Sequence, residues 1–137
     1  MIFKYDVEGG EFINAGVASS EFKKVLKQLG ISPEIIRKVS ISMYEAEINM
    51  VIHANGGHIE GEITPESIHV LLKDEGPGIK DVDLAMTIGY STASKTAREM
   101  GFGAGMGLPN IKRNSDNLKV SSILGEGTEV EITFQLN

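Results

Sequence analysis

Glu45 and Asn49 stand four residues apart in a mostly apolar stretch, so on a helix their side chains leave one face a turn apart, with His53 a turn further on. A carboxylate can take the proton of an attacking hydroxyl. An amide oxygen is a neutral ligand suited to Mg²⁺, a hard ion that keeps several waters and takes few protein donors. One turn of separation would set base and metal beside the same phosphate. The same two residues would serve equally well as the wet face of an amphipathic helix, so the pair alone decides nothing.

Two glycine-bearing segments add to it. Asp74-Glu75-Gly76-Pro77-Gly78 follows an apolar run that reads as a strand. As plain turn chemistry it would be unremarked, but a carboxylate at a strand end can accept from the amino group of a purine, and the two glycines let backbone approach a flat ring. Gly101-Phe102-Gly103-Ala104-Gly105-Met106-Gly107 has no comparable structural use. Alternate glycines are entropically costly and pack nothing, yet they let successive N–H groups converge on an anion at the start of the next helix. A phosphate cradle is the expectation.

Two common phosphate motifs fail the test. Gly89-Tyr90-Ser91-Thr92-Ala93-Ser94-Lys95-Thr96 has Ser94 where a P-loop needs its second glycine, and the segment before it reads as helical. The dinucleotide pattern G-x-G-x-x-G fails at every register of the 101–107 run, where its last position falls on Met106, Leu108 or Asn110.

The elements that must position these groups are legible from periodicity. Residues 2–8 alternate apolar and polar and predict a strand; Val17, Phe22, Val25, Leu26 and Leu29 predict a first helix from about Asn14 to Leu29, stopped by Gly30. Ser32-Pro33, a capping hydroxyl before a proline at the first helical position, opens a second helix that runs to His53 and ends at Asn55-Gly56-Gly57. Strands are expected near 58–63 and 67–73, hairpin-linked by Thr64-Pro65-Glu66. Then follow a short helix at about 81–88, a polar loop from Tyr90 to Met100, a helix over Leu108–Asp116 opened by Pro109, and strands at 118–123 and 128–136 around Gly125-Glu126-Gly127. This order predicts an α/β (α+β) two-layer sandwich, helices on one face of a mixed, mostly antiparallel sheet.

Composition narrows the classes of function. The 137 residues suit one domain, and thirteen Lys plus Arg against nineteen Asp plus Glu, a net charge of −6, supply no basic field for a nucleic-acid backbone. No apolar run approaches the roughly 20 residues of a membrane helix, and MIFKYDVEGG lacks a secretory hydrophobic stretch, so a cytoplasmic protein is expected. Without cysteine there is no disulfide, thiolate metal site or thiol nucleophile. His53, His58 and His69 have no spacing that favours a metal. Glycine makes up about 12% of the chain against a typical ~7%, and nine of the sixteen lie from Gly76 onward, so the excess is local punctuation.

Glu45-x-x-x-Asn49, Asp74-x-Gly76-x-Gly78, the 101–107 loop and Gly125-x-Gly127-Thr128 occur in the order of the N, G1 and G2 boxes and the terminal Gly-Thr element of GHKL-type ATPases. Each is modest; the ordered set is specific. With the stretches Gly89-Tyr90-Ser91-Thr92 and Gly105 to Arg113, the chain resembles the bacterial anti-sigma-factor serine/threonine kinases, most of all their switch-kinase branch, over roughly residues 10–136. The resemblance implies a Bergerat fold in which ATP or ADP lies between the helical layer and a lid at about 80–100. It implies Glu45 as general base, Asn49 as Mg²⁺ ligand, Asp74 as adenine anchor, and Gly76 and Gly78 as shapers of the adenine pocket. The run Gly101, Gly103, Ala104, Gly105, Met106, Gly107 and Leu108 would embrace the phosphates, Thr128 would approach the adenine, and Lys95 and Arg98 of the lid would meet the γ-phosphate. Met50 stands where the family often has a small residue.

The implied activity is transfer of the γ-phosphoryl group to a serine or threonine of a STAS-like antagonist protein, with a further partner, a sigma factor or other regulator, and a homodimer left open. The alternative is a nucleotide-sensing anti-sigma binding module with little or no transfer. The catalytic domain of a histidine kinase shares the same boxes, but no helix pair carrying a phosphoacceptor histidine is legible in the sequence.

Overall fold

The computed structural model describes residues 1–8, 15–53, 56–74, 107–123 and 127–136. Its elements run β1 (Ile2–Glu8), α1 (Val17–Gln28), α2 (Pro33–His53), β2 (Gly56–Ile63), β3 (Ser67–Asp74), α3 (Gly107–Asn114), β4 (Asn117–Ile123) and β5 (Gly127–Gln135). The expected helix at 81–88 and the polar loop lie outside the described residues.

Local signals explain most boundaries. Helix α2 opens as expected: Ser32 Oγ accepts from the Ile35 N–H at 3.4 Å, with Pro33 at the first helical position where no N–H is needed. Helix α1 ends in a Schellman arrangement, where Ile31 N–H donates to Leu26 O at 3.2 Å and Gly30 N–H to Lys27 O at 3.1 Å. Gly30 takes the left-handed conformation, φ 74°, that this cap requires. The β2–β3 hairpin turns on Thr64, whose Oγ1 accepts from the N–H groups of Glu66 (3.3 Å) and Ser67 (3.1 Å).

The five strands form one sheet in the order β1-β2-β3-β5-β4, and every pairing among them is antiparallel. Alternation then decides the faces. Ile59, Ile63, Ile68, Val70, Leu72, Val130, Ile132 and Phe134 turn inward, with Phe3, Tyr5 and Val7 partly buried beside them. The opposite face carries polar rows such as Asp6–His58–Lys73–Glu129–Ser121 across all five strands. The helices cover the apolar face: Ala18, Phe22 and Leu26 of α1, Ile36, Val39, Met43, Ala46 and Met50 of α2, and Leu108 and Ile111 of α3 join the same core. A fully buried side chain of this size contributes about 2 kcal/mol. Phe22 meets Phe3 and Tyr5 edge-on, with centroids 6.1 and 6.4 Å apart. Burial, and secondarily Glu21, raises the Tyr5 hydroxyl above its ordinary value of 10.0.

Helix α1 begins at Val17 rather than Asn14, for a reason that lies in another element. Gly16 is its N-cap and brings no capping side chain. The missing acceptor comes from Glu47 of α2, whose carboxylate accepts from the N–H groups of Gly16, Ala18 and Ser19.

Candidate functional site

The site is built on α2, which packs between α1 and α3 and so presents different residues to each. Glu47 is only 2% exposed. Its Oε2 accepts from the N–H groups of Gly16 (3.0 Å) and Ala18 (3.2 Å), and its Oε1 from Ser19 N–H (2.9 Å) and Ser19 Oγ (2.6 Å). A carboxylate at the N-terminus of α1 complements both its orphan donors and its dipole. Its acceptor sites are engaged in this cap, which makes Glu47 an anchor between helices.

Two residues earlier, Glu45 points toward α3 and is half-buried, as is Asn49 one turn on. Helix α3 lies against α2 through the buried Leu108 and Ile111, and Asn110 Nδ2 donates to Glu45 Oε1 at 3.4 Å. Because α3 starts at Gly107, the end of the glycine run is delivered beside the helix that carries Glu45 and Asn49. Leu108 itself is buried, 7% exposed, and serves the core. At Glu45 this side of α2 is therefore a flank facing another helix, not a fully solvated face.

Asp74 ends β3, and its Oδ1 accepts from Thr128 N–H at 2.9 Å. Two glycines on the neighbouring strands permit this approach. A Cβ at Gly127, φ 136°, would collide with the carbonyl oxygen of Asp74 and lie 3.1 Å from its Oδ1. A Cβ at Gly57, which pairs with Asp74 on β2, would fall 2.7 Å from Asp74 Cα and 2.8 Å from Met50 Cε. Met50, which follows Asn49 in α2, thus packs close to Gly57, the β2 partner of Asp74.

Residues 13–134 match the sequence profile of the histidine kinase-like ATPase domain. The chain belongs to that family. Among curated relatives, this histidine kinase-like ATPase is 30% identical over 113 residues to serine/threonine-protein kinase RsbT of Bacillus subtilis strain 168, covering 80% of this chain and 79% of the relative. It is 30% identical over 136 residues to the anti-sigma F factor of Oceanobacillus iheyensis, covering 95% and 86%, and 32% identical over 111 residues to that of Clostridium novyi, covering 77% and 74%. These relatives put the ATPase in the switch-kinase branch. The mycobacterial sensor histidine kinase MprB superposes with a TM-score of 0.57 at 15% identity, over 98% of this chain and 97% of that one, which is a likeness of fold.

Of the expected site residues, Glu45, Asn49, Asp74, Gly107, Leu108 and Thr128 fall on described elements of the ATPase. Gly76, Gly78, Lys95, Arg98, Gly101, Gly103, Ala104, Gly105 and Met106 lie outside the described residues. Among the described residues no group of three or more His, Cys, Asp or Glu is arranged to hold a metal, and no helix is long and apolar enough to cross a membrane. His58 sits on the open sheet face against Asp6, Nδ1 to Oδ1 2.6 Å, with both side chains well exposed. The sequence reading passed over Glu47, Asn110 as the partner of Glu45, and Gly57. Only for Glu47 was there a local signal, a glutamate in an apolar stretch; the uncapped start at Gly16 that it serves is a fact of the structure.

Proposed function

We propose that this protein is an ATP-dependent serine/threonine kinase of a partner-switching system, passing the γ-phosphoryl group of ATP to a hydroxyl of a STAS-like antagonist protein in the cytoplasm. The observation that carries the reading is the meeting of Glu45 with α3, because it sets a carboxylate next to the exit of the one segment whose glycines suit a phosphate. Glu45 takes the proton of the attacking hydroxyl as its oxygen bonds to the γ-phosphorus and the bond to the β-phosphate oxygen breaks, leaving ADP. Asn49, one turn away, offers a neutral amide oxygen, a hard donor of the kind Mg²⁺ accepts beside several waters. Bound there, the ion would neutralise charge on the phosphates. Asp74 accepts from the adenine amino group, held in place by the Thr128 N–H and by the space that Gly57 and Gly127 leave. Gly76 and Gly78 shape that pocket, the 101–107 run embraces the phosphates, and a lid over about 80–100 brings Lys95 and Arg98 to the γ-phosphate.

Incubation with Mg²⁺-ATP and candidate antagonist proteins should add about 80 Da, one phosphoryl group, to a single acceptor, on an acid-stable side chain. Phosphohistidine, which acid removes, would point instead to histidine-kinase chemistry. The anti-sigma part of two relatives' names fits a second reading, a nucleotide-sensing anti-sigma binding module with little or no transfer. A stoichiometric complex with no mass gain on any partner would support that one.

A further inference from the structure

The geometry points to Asn110 as a positioning residue that orients the carboxylate of Glu45 from the helix that leaves the glycine run; the inference rests on Glu45 being the base. Asparagine is a poor choice inside a helix of eight residues, where alanine would be favoured. Asn110 is half-buried, and its Nδ2, able only to donate, meets Glu45 Oε1, able as an ionised carboxylate only to accept. Its own helix does not need that side chain. The C-terminal bond of α3 runs from Asn114 Nδ2 to the main-chain carbonyl of Asn110 at 2.9 Å, and the packing of α3 on α2 falls to Leu108 and Ile111.

The amide is thus an addition that serves the facing carboxylate. It ties the direction of Glu45 to the position of α3, whose first residue is Gly107, the last glycine of the run. A phosphate group that sets the N-terminal end of α3 thereby also sets the aim of the base, through one hydrogen bond and no movement of α2. At 3.4 Å that bond is long, as contacts of a catalytic group often are before substrates tighten them.

Four variants, Asn110→Ala, Asn110→Gln, Glu45→Gln and the Asn110→Ala/Glu45→Gln double, test this by phosphoryl transfer from Mg²⁺-ATP to the acceptor or, without one, to water. Asn110→Ala should lower kcat about tenfold, with KM for ATP and the Kd of a non-hydrolysable ATP analogue within about twofold of wild type, and a melting temperature unchanged or raised. Asn110→Gln, which keeps an amide on a longer stem, should recover most of the rate. The double variant should be no slower than Glu45→Gln alone, because the amide acts through the carboxylate. Wild-type kcat in Asn110→Ala beside an inactive Glu45→Gln overturns the positioning role and leaves Glu45 as base. A parallel loss of melting temperature and nucleotide affinity in Asn110→Ala overturns it too, in favour of a packing role. Full transfer by Glu45→Gln removes the base, and the inference with it.

Discussion

Two glutamates, two residues apart on α2, have opposite fates. Glu47 is buried, engaged by four donors, and joins α1 to α2. Glu45 is half-buried and meets one amide at 3.4 Å on the side of α3. A carboxylate surrounded by donors at close range has its lone pairs taken up, whereas one loosely held at the edge of the core keeps lone pairs for a substrate. The helix period separates the two: residues two apart point to nearly opposite sides, so one helix can be clamped on one flank and leave the other for the proposed chemistry.

Breaking the side proposed to be reactive should give the largest effect. Glu45→Ala is expected to slow phosphoryl transfer by about 10²–10⁴-fold, roughly 3–5 kcal/mol of transition-state stabilisation, with chemical-denaturation stability within about 0.5 kcal/mol of wild type. Breaking the clamped side should reverse the pattern. Glu47→Ala strands buried donors at the start of α1 and should cost about 3 kcal/mol of stability, read from urea unfolding. Should Glu47→Ala unfold at the wild-type midpoint, the contrast between the two carboxylates is lost.

Asp74 lies between these extremes, with Oδ1 held by a main-chain N–H in a place where purine recognition is proposed. Gly127→Ala should therefore disturb both properties, costing about 2 kcal/mol of stability through the forced approach to Asp74 and weakening the binding of an ATP analogue severalfold in calorimetry. A change in stability alone would class Asp74 with Glu47.

The smallest effect sharpens the clamped side. Tyr5, packed on Phe22 of α1, has its hydroxyl raised above 10.0 chiefly by burial. The folded chain keeps that proton where the unfolded chain releases it, so the contribution of Tyr5 is present below about pH 10 and is lost as pH climbs through the raised folded value. Stability should fall over that alkaline range more in wild type than in Tyr5→Phe, as followed by urea midpoints.

Much of the scaffold was readable without coordinates because its signals act over a few residues. Ser32-Pro33 marks the start of α2, Gly30 the end of α1, Thr64 the β2–β3 turn, and alternation sets the buried face of each strand. Each is a choice between local backbone conformations that a side chain or its absence can settle by itself. The pairing of Glu45 with Asn49 belongs to the same class, since one helical turn guarantees it.

What the sequence determined, then, is the set of elements and the order of the chemical groups upon them. The tertiary structure decided which groups meet. Glu45 and Asn110 are 65 residues apart, Asp74 and Thr128 are 54 apart, and Glu47 reaches donors 28 to 31 positions away. No periodicity reports a partner at that separation, because the meeting depends on how α1, α2 and α3 settle against one sheet to bury their common core. The same cause moved the first residue of α1: its cap is supplied by another helix, and only packing brings that carboxylate to Gly16.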